Sequence, residues 1–390
     1  MRNYYLRKSL KCFVIIAGLN FAIPQAVSEE YDSQYPITFG VNNIFDIASN
    51  VSGGNQRDTV VLYNMDITAK FDAEYFGLQD GTFYIYGLIN NAKELNPIVG
   101  DLQVTSNIDN GEVFRIYEFW YEQLFSEGNA SLKFGLYDLN SEFDAIETSG
   151  LFLNSSHGIG PDFSQSGENG PSIFPSTSLA LRLQYQISDG LTVRAAILDA
   201  VPNDPNNPKK QKISLHEGAL LVGETEVSFA DGWRLVVGLW HYTKKFSPLD
   251  ETSPQPIGGN TGYYSFVEGP LSEKISTWFR IGKANQEINQ ISYYIGSGVV
   301  LRGILSSRPD DELGFAFAMA NNGSVYKNLR MKALTPVDDY EISYEVTYRF
   351  QVAPWLVLQP DVQYIKNPGT NKALKDALVV GLRIEIGDFF

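Results

Sequence analysis

From residue 37 to the C-terminus the chain repeats one pattern, stretches of about 9–13 residues in which apolar and polar side chains alternate, separated by turns. In the segment 340–350, Tyr340, Ile342, Tyr344, Val346, Tyr348 and Phe350 fall on one face, and Glu341, Ser343, Glu345, Thr347 and Arg349 on the other. The segments 61–75 and 179–188 repeat the arrangement, with Leu179, Leu181, Leu183, Tyr185 and Ile187 opposing Arg182, Gln184 and Gln186. A period of two places successive side chains on opposite faces of a strand. A soluble sandwich alternates in the same way, but with strands of about 5–6 residues. These segments are about twice as long, matching the roughly 9–11 residues with which a tilted strand crosses a bilayer. In lipid every backbone N–H and C=O must be paired, so a sheet of such strands has to close on itself. The expectation is all-β, a transmembrane antiparallel barrel.

Strands are expected near 37–45, 60–76, 81–91, 113–124, 130–138, 178–188, 190–199, 218–230, 232–244, 262–269, 273–283, 290–301, 312–320, 339–351, 354–366 and 376–390. That makes sixteen, an even number as single-chain bacterial barrels have. Short turns such as Ser188-Asp189-Gly190 and Ala230-Asp231-Gly232 alternate with longer inserts near 46–59, 92–112, 138–177, 200–217, 245–261 and 321–338. Aromatics gather at strand ends, among them Trp233, Trp240, Tyr263, Tyr264, Trp355 and Tyr364, as in the girdles of an outer-membrane barrel. The terminal Phe390 is in phase with the apolar face of the last strand, resembling the signal read by barrel-assembly machinery. The longest insert, 138–178, is rich in Gly, Ser, Asn, Asp and Pro, yet Phe143, Phe152, Phe163 and Phe174 give it apolar anchors. An insert of that length is functional or disordered. The anchors favour a packed loop folded inward to constrict a channel.

Residues 1–28 have the features of an export signal: Arg2, Arg7, Lys8 and Lys11, then an apolar run, then Ala26-Val27-Ser28. The barrel domain is accordingly 29–390. The single cysteine, Cys12, lies inside the signal, so no disulfide is expected in the mature chain. Removing the signal's four basic residues takes the formal net charge from −15 to −19. Such an acidic excess disfavours nucleic acid as a partner.

Three blocks resemble the carbohydrate-selective porins of the OprB family. They are the segments 117–123 (YEFWYEQ) with 133–144 (KFGLYDLNSEFD), 152–158 (FLNSSHG) through 170–175 (GPSIFP), and 348–355 (YRFQVAPW) with 359–364 (QPDVQY) and 367–369 (NPG). The resemblance implies a sixteen-stranded barrel of the Gram-negative outer membrane that admits sugars by passive diffusion, with carbohydrate solutes and the lipid bilayer as its partners and a homo-oligomer left open. Selecting a sugar takes hydrogen-bonding charged groups to fix orientation and flat rings for contact. In the segment 113–125 the more apolar parity is Val113, Tyr117, Phe119, Tyr121 and Phe125, which turns Glu118, Trp120 and Glu122 inward. Charge on the lipid face is costly, so Lys133, Arg182, Arg194, Arg280, Glu345 and Arg349 are expected in the lumen too. Glu118, Trp120, Glu122, Lys133 and Arg182, with Asp144 from the inserted loop, are the expected constriction groups.

Catalysis and cofactors find little footing. Ser155-Ser156-His157 offers a hydroxyl beside a base, but sequence adjacency does not supply triad geometry. Metal-ligand spacing of Cys or His is absent, so no metal is expected. Asn203 to Pro208 is oxygen-rich enough to hold calcium, though a plain extracellular turn accounts for it as well. A plugged structural or adhesive barrel, and a general non-selective pore, would share the fold.

Overall fold

The structure, a computed structural model, describes residues 37–90, 93–204, 207–211, 213–214, 216–250 and 255–387. The segment with export-signal features, the terminal Phe390, and Pro205 and Asn206 of the oxygen-rich turn lie outside the described residues.

Sixteen antiparallel strands form one closed barrel. They are β1 (Ile37–Ser52), β2 (Asp58–Asp72), β3 (Gly81–Asn90), β4 (Val113–Phe125), β5 (Ala130–Tyr137), β6 (Ser178–Ser188), β7 (Leu191–Asp199), β8 (Ala219–Ser228), β9 (Arg234–Phe246), β10 (Ile257–Ser272), β11 (Ile275–Ala284), β12 (Ile291–Arg302), β13 (Glu312–Asn322), β14 (Tyr340–Ala353), β15 (Leu356–Lys366) and β16 (Ala377–Ile386). Each pairs with its neighbours in sequence, and β1 closes on β16. The longest connections, 91–112, 138–177, 200–218 and 323–339, share one rim, and short turns such as 189–190 and 273–274 occupy the other.

The alternation sorts as lipid outside and polar interior dictate. Phe134, Leu181, Leu183, Tyr185, Val237, Leu239, Tyr344 and Val346 are exposed on the outer surface. Glu341, Ser343, Glu345 and Thr347 from the same stretch of β14 as Tyr344 and Val346 are buried inside. The insert expected at 46–59 is instead mostly strand, leaving only a turn at 53–57. Polar residues break the apolar period there because the strand runs on past the apolar zone. Ser49 and Thr59 hydrogen-bond across the pair (2.7 Å), and Asn50 Nδ2 donates to Gly53 O (3.0 Å) and Gln56 O (2.8 Å) to cap the turn. β10 also outruns its expected ends, through Ile257-Gly258-Gly259 at one end and Pro270-Leu271-Ser272 at the other, where glycine and proline interrupt the period.

Candidate functional site

The lumen-facing side chains of β3–β6 are set by a register that sequence alone does not specify. Between β3 and β4 the pairing slips: Tyr86 opposes Glu118 while Gly87 opposes Ile116, so Tyr117 is an extra residue. A bulge of this kind changes which parity faces inward. Before it Phe114 and Ile116 point outward and Val113 and Arg115 inward; after it Phe119 points outward and Glu118 inward. Val113 and Tyr117, expected on the lipid face, are therefore buried inside, where Tyr117 Oη donates to Asp138 Oδ2 (2.6 Å). The expected inward direction of Glu118, Trp120 and Glu122 holds because the bulge precedes them.

From there the register lines up charge. Glu122, Lys133 and Arg182 are directly opposite one another on β4, β5 and β6. Arg182 Nη2 donates to Glu122 Oε1 (2.6 Å), and Lys133 Nζ lies 3.7 Å from Glu122 Oε2. Both cations also bind Glu142 of the inserted segment, Lys133 at 2.5 Å and Arg182 Nε at 2.6 Å. Lys133 Nζ sits 4.2 Å from the centroid of the Trp120 ring, which stacks on Tyr84 at 4.9 Å. A cation over an indole face is attracted by the ring quadrupole. Trp120 Nε1 donates to Glu118 Oε1 (3.3 Å), which also accepts the Asp138 N–H (3.0 Å). Burial would raise the Glu142 carboxyl, but the charges of Lys133 and Arg182 outweigh it and hold the group well below the usual carboxylate range.

Asp144 is not part of this cluster. It turns to the opposite wall, where Arg280 of β11 donates Nε to Asp144 Oδ1 (2.8 Å) and Nη2 to Asp144 Oδ2 (2.5 Å). The same guanidinium donates Nη1 to Asp162 Oδ1 (2.8 Å). Asp144 is thus a docking group. Glu142, two residues earlier, is the acid that binds Lys133 and Arg182, and nothing in the sequence separates the two.

The segment 138–177 is bound to inward-facing wall residues over half the barrel's circumference. Wall carboxylates grip its backbone. Glu224 (β8) accepts the Asp144 N–H (2.9 Å), Glu268 (β10) accepts those of Glu147 (3.0 Å) and Thr148 (2.7 Å), and Glu345 (β14) accepts those of Leu153 (2.6 Å) and Asn154 (3.0 Å). Tyr294 Oη donates to Ser156 O (2.8 Å), and Phe163 stacks on Trp240 at 5.2 Å. The segment 93–112, read from sequence only as a rim insert, docks inside as well. Glu341 accepts the Leu102 (2.8 Å) and Gln103 (3.0 Å) N–H groups, and Asp46 accepts from Ser106 Oγ (2.6 Å). The two segments join where the Ser155 N–H meets Val104 O (3.0 Å) and the Asn107 N–H meets Leu153 O (2.7 Å). These carboxyl oxygens satisfy backbone N–H groups that would otherwise be buried without partners, and they give the acidic excess a structural use.

His157 is fully buried between Phe152 (5.1 Å) and Trp278 (5.5 Å), and burial pushes its imidazole down to about 3. Ser156 Oγ donates to Gln103 O (3.3 Å). The tripeptide 155–157 therefore packs as an internal turn. Among the described residues no group of three or more His, Cys, Asp or Glu side chains is placed to hold a metal ion.

Residues 56–387 match the family model described as carbohydrate-selective porin, OprB family. Porin B of Pseudomonas aeruginosa is 25% identical over 402 aligned positions, covering 89% of this chain and 86% of that protein. The high-pH structure of Pseudomonas putida OprB superposes with a TM-score of 0.82 at 20% identity, over 90% of this chain and 94% of that one. The outer membrane channel DcaP of Acinetobacter baumannii superposes with a TM-score of 0.56 at 10% identity, over 91% and 98%. At such identities the two structures speak for the fold, while the family match spans nearly the whole barrel. The chain belongs to the OprB family of carbohydrate-selective porins, sugar channels of the Gram-negative outer membrane.

Proposed function

We propose that sugars cross along the wall formed by β2–β7, past Tyr84, Trp120, Glu122, Lys133, Arg182 and Glu142, which together make the selective constriction. The observation behind this reading is the paired ladder on β4–β6, which the 138–177 segment meets through Glu142 while its middle is fastened to β8, β10, β11, β12 and β14. Two carboxylates and two cations balance, so the ladder offers donors and acceptors without a net field. A neutral polyol can exchange hydrogen bonds with both signs, whereas an ion attracted by one is repelled by the other. Tyr84 and Trp120, both half-buried, offer ring surface for the apolar side of a pyranose. Passage along such a wall is diffusion and needs no energy coupling.

Liposome swelling in isotonic glucose, a disaccharide and an amino acid of similar size tests the reading. The wild-type channel is expected to swell faster in the sugars. The double variant E122Q/E142Q leaves Lys133 and Arg182 without their acids, so it should lower the sugar preference and shift the reversal potential in a salt gradient toward anions. A variant with unchanged swelling ratios and reversal potential would remove the ladder from the path.

A further inference from the structure

We propose that Arg280 is the positioning residue that sets how far the 138–177 segment stands out from the far wall, and through it the cross-section open to sugars. The proposal rests on the reading that solutes pass beside that segment. The carboxylate clamps each hold backbone N–H groups at one place. Arg280 instead binds two side chains from separate limbs of the segment, Asp144 and Asp162, and so fixes the stretch between them, which includes the turn that crosses to β14. All three groups are buried, at 0%, 0% and 1% exposure, so no solvent competes for the fork.

The surroundings are shaped for this pairing. The guanidinium carbon lies 5.7 Å from the Tyr264 ring centroid and 5.0 Å from that of Tyr294, on the strands either side of Arg280. Both rings are pinned by their hydroxyls, Tyr264 to Glu224 Oε2 (2.6 Å) and Tyr294 to Ser156 O (2.8 Å). Two glycines make room: a Cβ at Gly160 would collide with Arg280 Nη1, and one at Gly282 with the Asp162 carboxylate. Without Arg280, two buried carboxylates face each other with no counter-charge, and their limb has to lift toward water to solvate them. Lysine restores the charge but not the planar fork that holds both carboxylates in one fixed geometry.

The test compares R280M and R280K with wild type by single-channel conductance and by swelling in a mono- to trisaccharide series, using protein whose heat-modifiable gel mobility shows a folded barrel. R280M should conduct more and relax the size preference, with R280K intermediate. A further variant keeps the test decisive: D162C/G282C in the R280M background. A Cβ at Gly282 would touch the Asp162 carboxyl carbon, so a cysteine pair there is within disulfide reach, and Cys12 is the only native cysteine. Oxidised, this channel should return to wild-type conductance, and reduction should raise it. Folded R280M with wild-type conductance and size series overturns the proposal. So does R280K indistinguishable from wild type where R280M does not fold. If E122Q/E142Q changes swelling while R280M does not, the path stands and the latch falls. The reverse result keeps the latch and removes the ladder from the path.

Discussion

Glu268 accepts two successive backbone N–H groups of the inserted segment while also pairing with Arg234 Nη2 at 2.5 Å. Glutamine keeps its shape and loses its charge. E268Q is therefore expected to weaken the docked segment by about 1–3 kcal/mol, read as a lower temperature for loss of heat-resistant gel mobility. His157 gives a pH signature. Its imidazole is pushed down to about 3 by burial, whereas an unfolded histidine titrates near about 6.5. The unfolded state thus takes up a proton that the folded state refuses. The stabilisation is complete above the unfolded value and is lost as pH falls from there toward the folded one. Glu345 Oε2 lies 3.5 Å from Nε2, and both Glu345 oxygens already accept N–H groups, so the carboxylate offers little rescue. At pH 4.5 the penalty is about 2–3 kcal/mol. H157L should show a smaller drop in thermal stability between pH 7 and 4.5 than wild type. An equal drop would assign the acid sensitivity elsewhere. At this scale the inward direction of Glu122, Lys133 and Arg182 was legible because each stands on the parity opposite a lipid-facing run. Asp144 and Glu142 were not, because outside a strand no period says which way a side chain turns.

At the scale of elements, strand existence followed from alternation, and strand ends followed less well. The end of β1 runs beyond the apolar zone, where side chains on both faces can be polar and the period gives out, and glycine and proline interrupt the period at the ends of β10. The bulge at Tyr117 left no usable signature, since Tyr117 is aromatic and sits comfortably on either face. It nonetheless decides the orientation of half of β4. Deleting Tyr117 places Ile116, facing out, directly before Glu118, facing in, so alternation is unbroken and every other side chain of β4 keeps its face. The deletion is expected to reach the heat-modifiable folded form in near-normal yield while losing the Tyr117 Oη bond to Asp138. Inserting one residue between Ile116 and Glu118 in the deletion variant should restore the bulge. A sharply lowered yield of the deletion variant would mean that β4 needs the bulge itself in order to pair.

For the whole molecule, closure is the event that removes the last free sheet edges. It happens where β1 meets β16, and a charged pair marks the seam. Asp46 and Arg383 are direct register partners, joined by Nε to Oδ1 (2.7 Å) and Nη2 to Oδ2 (2.8 Å), both buried. Nη2 also donates to Asn107 Oδ1 (2.7 Å), so the seam and the inner 93–112 segment share one guanidinium. R383M leaves Asp46 buried with its Ser106 bond alone, a loss of about 3–5 kcal/mol. It should lower the melting temperature of the barrel in detergent more than R349M, whose partner Glu385 lies in a more open part of the wall, with Arg349 26% exposed. Equal effects would show that the seam is no more sensitive than the rest of the wall.

The amino-acid sequence by itself determined the barrel, its strand number and the sign of each regular stretch of wall, because lipid on one side and a polar interior on the other act on every residue of a strand independently; the start of β4, reversed by its bulge, is the exception. Only the tertiary structure decided which charges meet and where the two inner segments dock. Cross-strand register joins residues 337 positions apart, as Asp46 and Arg383 are, backbone-to-carboxylate clamps join residues 239 apart, as Leu102 and Glu341 are, and no local period records such a partner.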